Sequence, residues 1–154
     1  MNRLFALSFT LCALACSAVA QGAGAPGAEP TLRTIPLTVA GQKITVEVAD
    51  TMDTRTRGLM HRFSLRQDHG MVFVFARPEP LGFWMRNTFI PLSIAFMDST
   101  GQILNVDEMA PQSDATHWSR GPAMYALEMR KGWFKDHGIK AGDRVEGLPP
   151  AAKE

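Results

Sequence analysis

The chain has 154 residues, 45% of them hydrophobic and 20% charged, enough for one domain with its own core. Its 16 basic residues nearly balance its 15 acidic ones. That balance excludes the basic excess with which nucleic-acid binders displace counterions, and it excludes attachment to anionic lipid by charge alone.

Residues 1–20 read as a secretory leader. Arg3 supplies a positive start, Leu4 to Ala15 is apolar apart from Ser8 and Thr10, and Ala18-Val19-Ala20 fits a signal-peptidase site before Gln21. The apolar run is about 12 residues, short of the roughly 20 that span a bilayer, so no transmembrane anchor is expected. Removing Arg3 with the leader brings the formal net charge to zero. The expected location is periplasmic or secreted. An alternative is a lipoprotein acylated at Cys16, although Leu14 stands two residues before that cysteine where a lipobox places it three before. Cys12 and Cys16, the two cysteines, both fall in the leader. The exported chain would then have no disulfide, no thiolate chemistry and no Cys-ligated zinc.

Gln21 to Pro30 is rich in Gly, Ala and Pro and reads as a flexible spacer. Residues 31–148 form the expected single β-rich domain, and 149–154 a frayed tail. Alternation of Ile35, Leu37, Val39 and of Ile44, Val46, Val48 predicts a hairpin with one apolar face. Pro36 suggests that its first strand is an edge. Asp53 is the expected cap of a short helix from Thr54 to about His61, with Arg55, Arg57 and Arg62 on its surface. Met71 to Phe75 is apolar throughout and predicts a central strand buried on both faces, broken by Pro78 and Pro80. Further strands are expected over 82–88, 92–98 and 102–109, then a polar loop over 111–122. A strand over 123–129, a short helix from Trp133 to His137 and a last strand over 144–147 follow. The count is about eight short strands and two short helices. This is a mainly β (α+β) fold, a strongly bent antiparallel sheet or small barrel.

Several runs carry a family resemblance: Arg57-Gly58-Leu59-Met60, Gly70-Met71-Val72-Phe73-Val74-Phe75, Phe83-Trp84-Met85-Arg86-Asn87-Thr88 with Ile90-Pro91-Leu92, Ala126-Leu127-Glu128, and Gly142-Asp143. In this order and spacing the chain resembles the prokaryotic family catalogued as domain of unknown function 192, over about residues 33–147. The resemblance implies a compact β-rich fold, often exported, and no agreed activity. Ser93 stands where compared members often carry Asp, so no role for a carboxylate there carries over.

Function is therefore sought in the residues. A three-residue loop at 99–101 would pair Phe96 with Leu104, Ile94 with Val106 and Leu92 with Glu108. Glu108 would then point toward the core beside Asn87 and Thr88, with Arg86 or Arg57 as counter-charge. The bland alternative is a solvated or structurally paired Glu108. Trp84 and Arg86 share a strand face and could hold a carboxylate or a sugar ring, or simply stack. Glu128 is expected to face solvent, opposite in parity to Tyr125, Leu127 and Met129. Alternatively it is the second carboxylate of an acid–base pair with Glu108.

The methionines at 52, 60, 71, 85, 97, 109, 124 and 129 raise copper(I) binding. Gap-filling in a cysteine-free core accounts for them better. The four histidines are scattered, with no metalloprotease, nucleophile-elbow or P-loop motif. No cofactor or metal is expected, and catalytic residues are not identifiable. The resulting expectation is a monomeric exported module that binds a small molecule or an envelope component. The rival is a hydrolase or transferase working through Glu108 and Glu128.

Overall fold

The computed structural model describes residues 32–153. The leader, the spacer and Glu154 lie outside the described residues. Strands β1 (Thr34–Val39) and β2 (Gln42–Ala49) form the predicted hairpin, with Leu37 opposite Ile44 and both buried. Ala40 and Gly41, the two loop residues, both take positive φ, 46° and 87°. That backbone matches the strand twist of a two-residue hairpin. The last strand, β9 (Val145–Glu146), pairs only with Thr38 and Val39, so β1 is an edge at Pro36.

Helix α1 (Met52–Arg57) is capped two residues before the expected position. The Thr51 side chain accepts from the Thr54 N–H, and Thr54 Oγ1 accepts from the Thr51 N–H. Asp53 instead occupies the first turn, where the helix dipole favours an acid. The helix stops at Gly58, short of the predicted His61, because the backbone there turns to φ 50°. A Cβ on Gly58 would come within 3.2 Å of the Phe73 ring. The chain thus passes close over the sheet at this point.

Strand β3 (His69–Glu79) lies beside β2 in parallel, the single parallel pair among the described strands. Its Met71-to-Val74 stretch is buried on both faces, as its unbroken apolar run requires. The strand continues past Pro78, contrary to expectation. Pairing with β2 ends at Phe73, so nothing on that side needs the N–H that proline lacks. The expected strand over 82–88 shrinks to β4 (Gly82–Phe83). Beyond it Met85–Thr88 is a turn, with the Thr88 N–H donating to the Met85 carbonyl at 3.0 Å and Asn87 at φ 57°.

Strands β5 (Leu92–Met97), β6 (Ile103–Met109) and β8 (Ala123–Arg130) complete one side of the sheet. The two-residue β7 (His117–Trp118), inside the predicted loop, pairs with β4. Helix α2 (Trp133–Asp136) follows β8. The strand order is β6-β5-β8-β3-β2-β1-β9, curled into a half-barrel. The two outer strands meet at one corner, where the Val145 N–H donates to the Gly101 carbonyl at 2.9 Å. The mainly β expectation holds.

The 92–109 hairpin departs from the predicted register by one residue. Met97 pairs with Ile103 as the loop geometry requires, but Phe96 then pairs with Asn105. Leu104 is a bulge. From there every pairing shifts, so Glu108 stands opposite Ser93 and Leu92 opposite Met109. Because side chains alternate, that one residue moves Glu108 to the other face of the sheet.

The sheet carries an apolar cluster on each face. Val46, Val72, Ala95 and Leu127 belong to the first, which α2 covers with Trp133 and Phe134. Met71, Phe73, Ile94, Phe96 and Ala126 belong to the second, with Leu59, Leu81 and Met85 packed over them.

Candidate functional site

Tyr125, Leu127 and Met129 of β8 join the first cluster. Alternation sends Ala126 and Glu128 to the second face. Glu128 stands between Met71 of β3 and Ile94 of β5, in the interior of the sheet. It is 4% exposed. The expectation of a solvent-facing Glu128 is therefore corrected. Its strand is central, and the second face is roofed by α1, the 58–60 segment and the 82–88 segment.

Beneath that roof lies a cavity of about 280 Å³ that Glu128 lines. Gly58, Leu59, Phe73 and Thr88 line it alongside, with Phe75, Phe83 and Trp84 as aromatic walls. Met52, Arg55, Thr56 and Arg57 come from α1, and Met60 from the segment that follows. Phe83 makes edge-on contacts with Phe73 at 4.9 Å and Phe96 at 5.7 Å between ring centroids. The aromatic wall is thus fixed by packing. The Arg55 guanidinium lies over the Phe75 ring, 5.1 Å from its centroid, and donates to the Val74 carbonyl at 3.0 Å.

Among the described residues, the Glu128 carboxyl has no hydrogen-bond or ion-pair partner. No fully enclosed side-chain nitrogen or oxygen among those residues lacks a partner. The Glu128 oxygens are therefore reached from the cavity. Burial pushes its pKa up from 4.5 to about 8, so the group is largely protonated at neutral pH. Protonated, it is a neutral hydrogen-bond donor and acceptor at the wall of an aromatic pocket.

Of the sequence-predicted residues, Arg57, Trp84, Thr88 and Glu128 meet at this cavity. Arg86 adjoins through Trp84, its guanidinium 4.9 Å from the ring centroid, and it also pairs with Asp114 at 2.8 Å. Asn87 is exposed, and its role in the turn is conformational. Glu108 is not part of the group. It is exposed and accepts from Ser93 Oγ at 2.7 Å, while Ser93 Oγ accepts from the Gly132 N–H at 2.8 Å. The bulge at Leu104 is the reason. Glu108 and Glu128 lie on opposite faces of the sheet, so the acid–base pair does not form. The acid that shares Glu128's face is Asp107, across Ile94; it faces His117 at 3.6 Å and does not line the cavity.

Arg55 and the phenylalanine wall escaped the sequence reading. A usable signal was present: Glu128 interrupts a run of buried apolar residues in a central strand, a costly placement.

The model of the family catalogued as domain of unknown function 192, described as an uncharacterised ACR, matches residues 35–147. The chain belongs to this family. A crystal structure from Sinorhizobium meliloti 1021, described provisionally as a transcription regulator, is 35% identical with a TM-score of 0.74. The match covers 77% of this chain and 96% of that one. A protein of unknown function from Novosphingobium aromaticivorans is also 35% identical, with a TM-score of 0.72, covering 80% of this chain and 94% of its own. No curated protein matches. Four of the runs that carry the family resemblance supply the cavity: Arg57–Met60, the Phe73 and Phe75 strand, Phe83–Thr88 and Glu128.

Proposed function

We propose that the protein is an exported small-molecule-binding module whose site is the cavity between α1, β4 and the second face of the sheet. The supporting observation is the unpartnered, buried Glu128 carboxyl opening into an aromatic-lined space. A polar group without a partner costs stability, and a ligand that hydrogen-bonds it recovers that cost. Export rests on the leader pattern of residues 1–20. The intact mass of the exported chain tests it: a start at Gln21 supports the leader, and a lipid-sized adduct on Cys16 points to the lipoprotein. The nearly neutral charge of the chain gives no drive toward nucleic acid. A regulator role is therefore not carried over from the Sinorhizobium relative.

Titration of the labelled protein with benzamide and benzyl alcohol, followed by amide NMR, tests the pocket. Shifts confined to residues 55–60, 82–88 and 126–130 support it. Unchanged spectra at millimolar ligand, or shifts scattered over the sheet, contradict it.

The surface-binding form of this reading has its own observation. Phe63 is 83% exposed and stacks on Phe89, with centroids 5.1 Å apart and planes within 6°. Exposed stacked rings favour a partner surface. Loss of envelope retention in Phe63→Ser, with the cavity shifts intact, would assign that role to this stack.

A further inference from the structure

The Glu128 cavity is chemically asymmetric, and its asymmetry narrows the ligand. At one end is a lone acid held between Met71 and Ile94. Of the charged groups on the roofing helix, Arg55 and Arg57 line the cavity and Asp53 does not. Asp107 of β6 shares the face but stands one strand further, against His117. Burial alone accounts for the Glu128 shift, with no contribution from a neighbouring charge. Among the described residues no ion pair joins the acid to Arg55, although both line the cavity. Arg55 is held in place by the Phe75 ring and the Val74 carbonyl, and a guanidinium has five N–H donors, so it retains donors for a ligand.

Resting on the binding role proposed above, we infer that this cavity takes a small zwitterion of the amino-acid class. Its ammonium group would meet Glu128, its anionic group would meet Arg55, and one apolar or aromatic group would lie against Phe73 and Phe83. Size agrees. The cavity measures about 280 Å³, against the roughly 150 Å³ that holds a benzene ring, which leaves room for one ring and a short polar chain. Charge agrees as well. Among the described residues no cation pairs with Glu128, and an incoming ammonium would supply one. The aromatic walls suit an ammonium group, whose charge is attracted to ring faces. On binding, Glu128 releases its proton to solvent and the ammonium keeps its own. One proton thus leaves for each ligand that pairs with the carboxylate.

Three probes that share a phenylethyl skeleton separate the ends: L-phenylalanine, phenethylamine and 3-phenylpropionate. Isothermal titration at pH 6.5, in buffers of different ionisation enthalpy, reads affinity and proton release together. L-phenylalanine should bind tightest, by roughly tenfold over either single-ended probe. Close to one proton should be released with each amine and none with 3-phenylpropionate. Glu128→Gln, which is expected to fold, should abolish proton release. Arg55→Gln should erase the advantage of L-phenylalanine over phenethylamine and leave proton release unchanged; a melt confirms its fold. Equal affinity for 3-phenylpropionate and L-phenylalanine, or amine binding without proton release, would overturn the zwitterion assignment. If none of the three binds while benzamide still shifts the cavity amides, the assignment falls and the pocket stands. If benzamide is also silent, both fall.

Discussion

The two faces of the central sheet are built from neighbouring residues of the same strands, yet they solve different problems. On the first face, Val, Leu, Ile and Met side chains pack together with Trp133 and Phe134. On the second, Phe and Met side chains surround a cavity and an acid without a partner. Strands β3, β5 and β8 serve both faces, so strand propensity does not explain the difference. Both faces bury apolar side chains and so contribute stability. The second retains a polar group and a void that each lower it, a pattern typical of sites held ready for a ligand.

The largest expected effect breaks the first face. Trp133 is 2% exposed, stacks edge-on with Phe134 and donates from Nε1 to Asp68 at 2.9 Å. Trp133→Ala should cost about 3–5 kcal/mol in denaturant unfolding. Phe83→Ala on the half-exposed cavity wall should cost clearly less. Equal costs would mean that the two faces are packed alike.

The next effect follows from pH. Above pH 4.5 the unfolded chain releases the Glu128 proton, while the folded chain holds it up to about pH 8. The folded state thus binds more protons in this window, and stability falls as pH rises through it. The contribution is full below pH 4.5, is lost by about pH 8 and is flat above. Glu128→Gln removes the titration. Its stability relative to wild type should climb by roughly 1.4 kcal/mol per pH unit across the window, about 3–5 kcal/mol in total. Parallel pH–stability curves for the two proteins would show that Glu128 titrates as an ordinary surface acid. Arg55 and Arg57 are the charged side chains that share the cavity with Glu128.

Smaller effects sharpen the comparison. Thr51→Ala removes the cap of the helix that roofs the cavity and should cost about 1 kcal/mol. It should also weaken any ligand that binds there. Glu108→Gln, on the opposite face, should change stability by less than about 1 kcal/mol, because an amide oxygen can still accept from Ser93. A Glu108→Gln variant that lost ligand binding would return that residue to the site.

Much of the fold was legible in the sequence because period-two alternation is strong in 34–48 and the apolar run at 71–75 admits one placement. The site was legible in part. Trp84, Thr88 and Arg57 stood in distinctive runs, and the structure brings them to the cavity. Glu108 and Glu128 exchanged roles for two physical reasons. A bulge at Leu104 is a one-residue event without a sequence marker of its own, and it inverts every later side chain. Glu128 looked solvent-facing because parity alone reports which face a residue takes, not what covers that face. The cover comes from α1 and the 82–88 turn, where Gly58 and Asn87 bend the chain through positive φ.

The most direct test is carboxyl NMR of ¹³C-labelled glutamate across pH 4–10, with Glu128→Gln identifying the resonance. The account predicts that Glu128 titrates near pH 8 and that its shift moves when L-phenylalanine is added. A Glu128 midpoint near 4.5, unmoved by ligand, would contradict a buried and unpartnered carboxyl and with it the site.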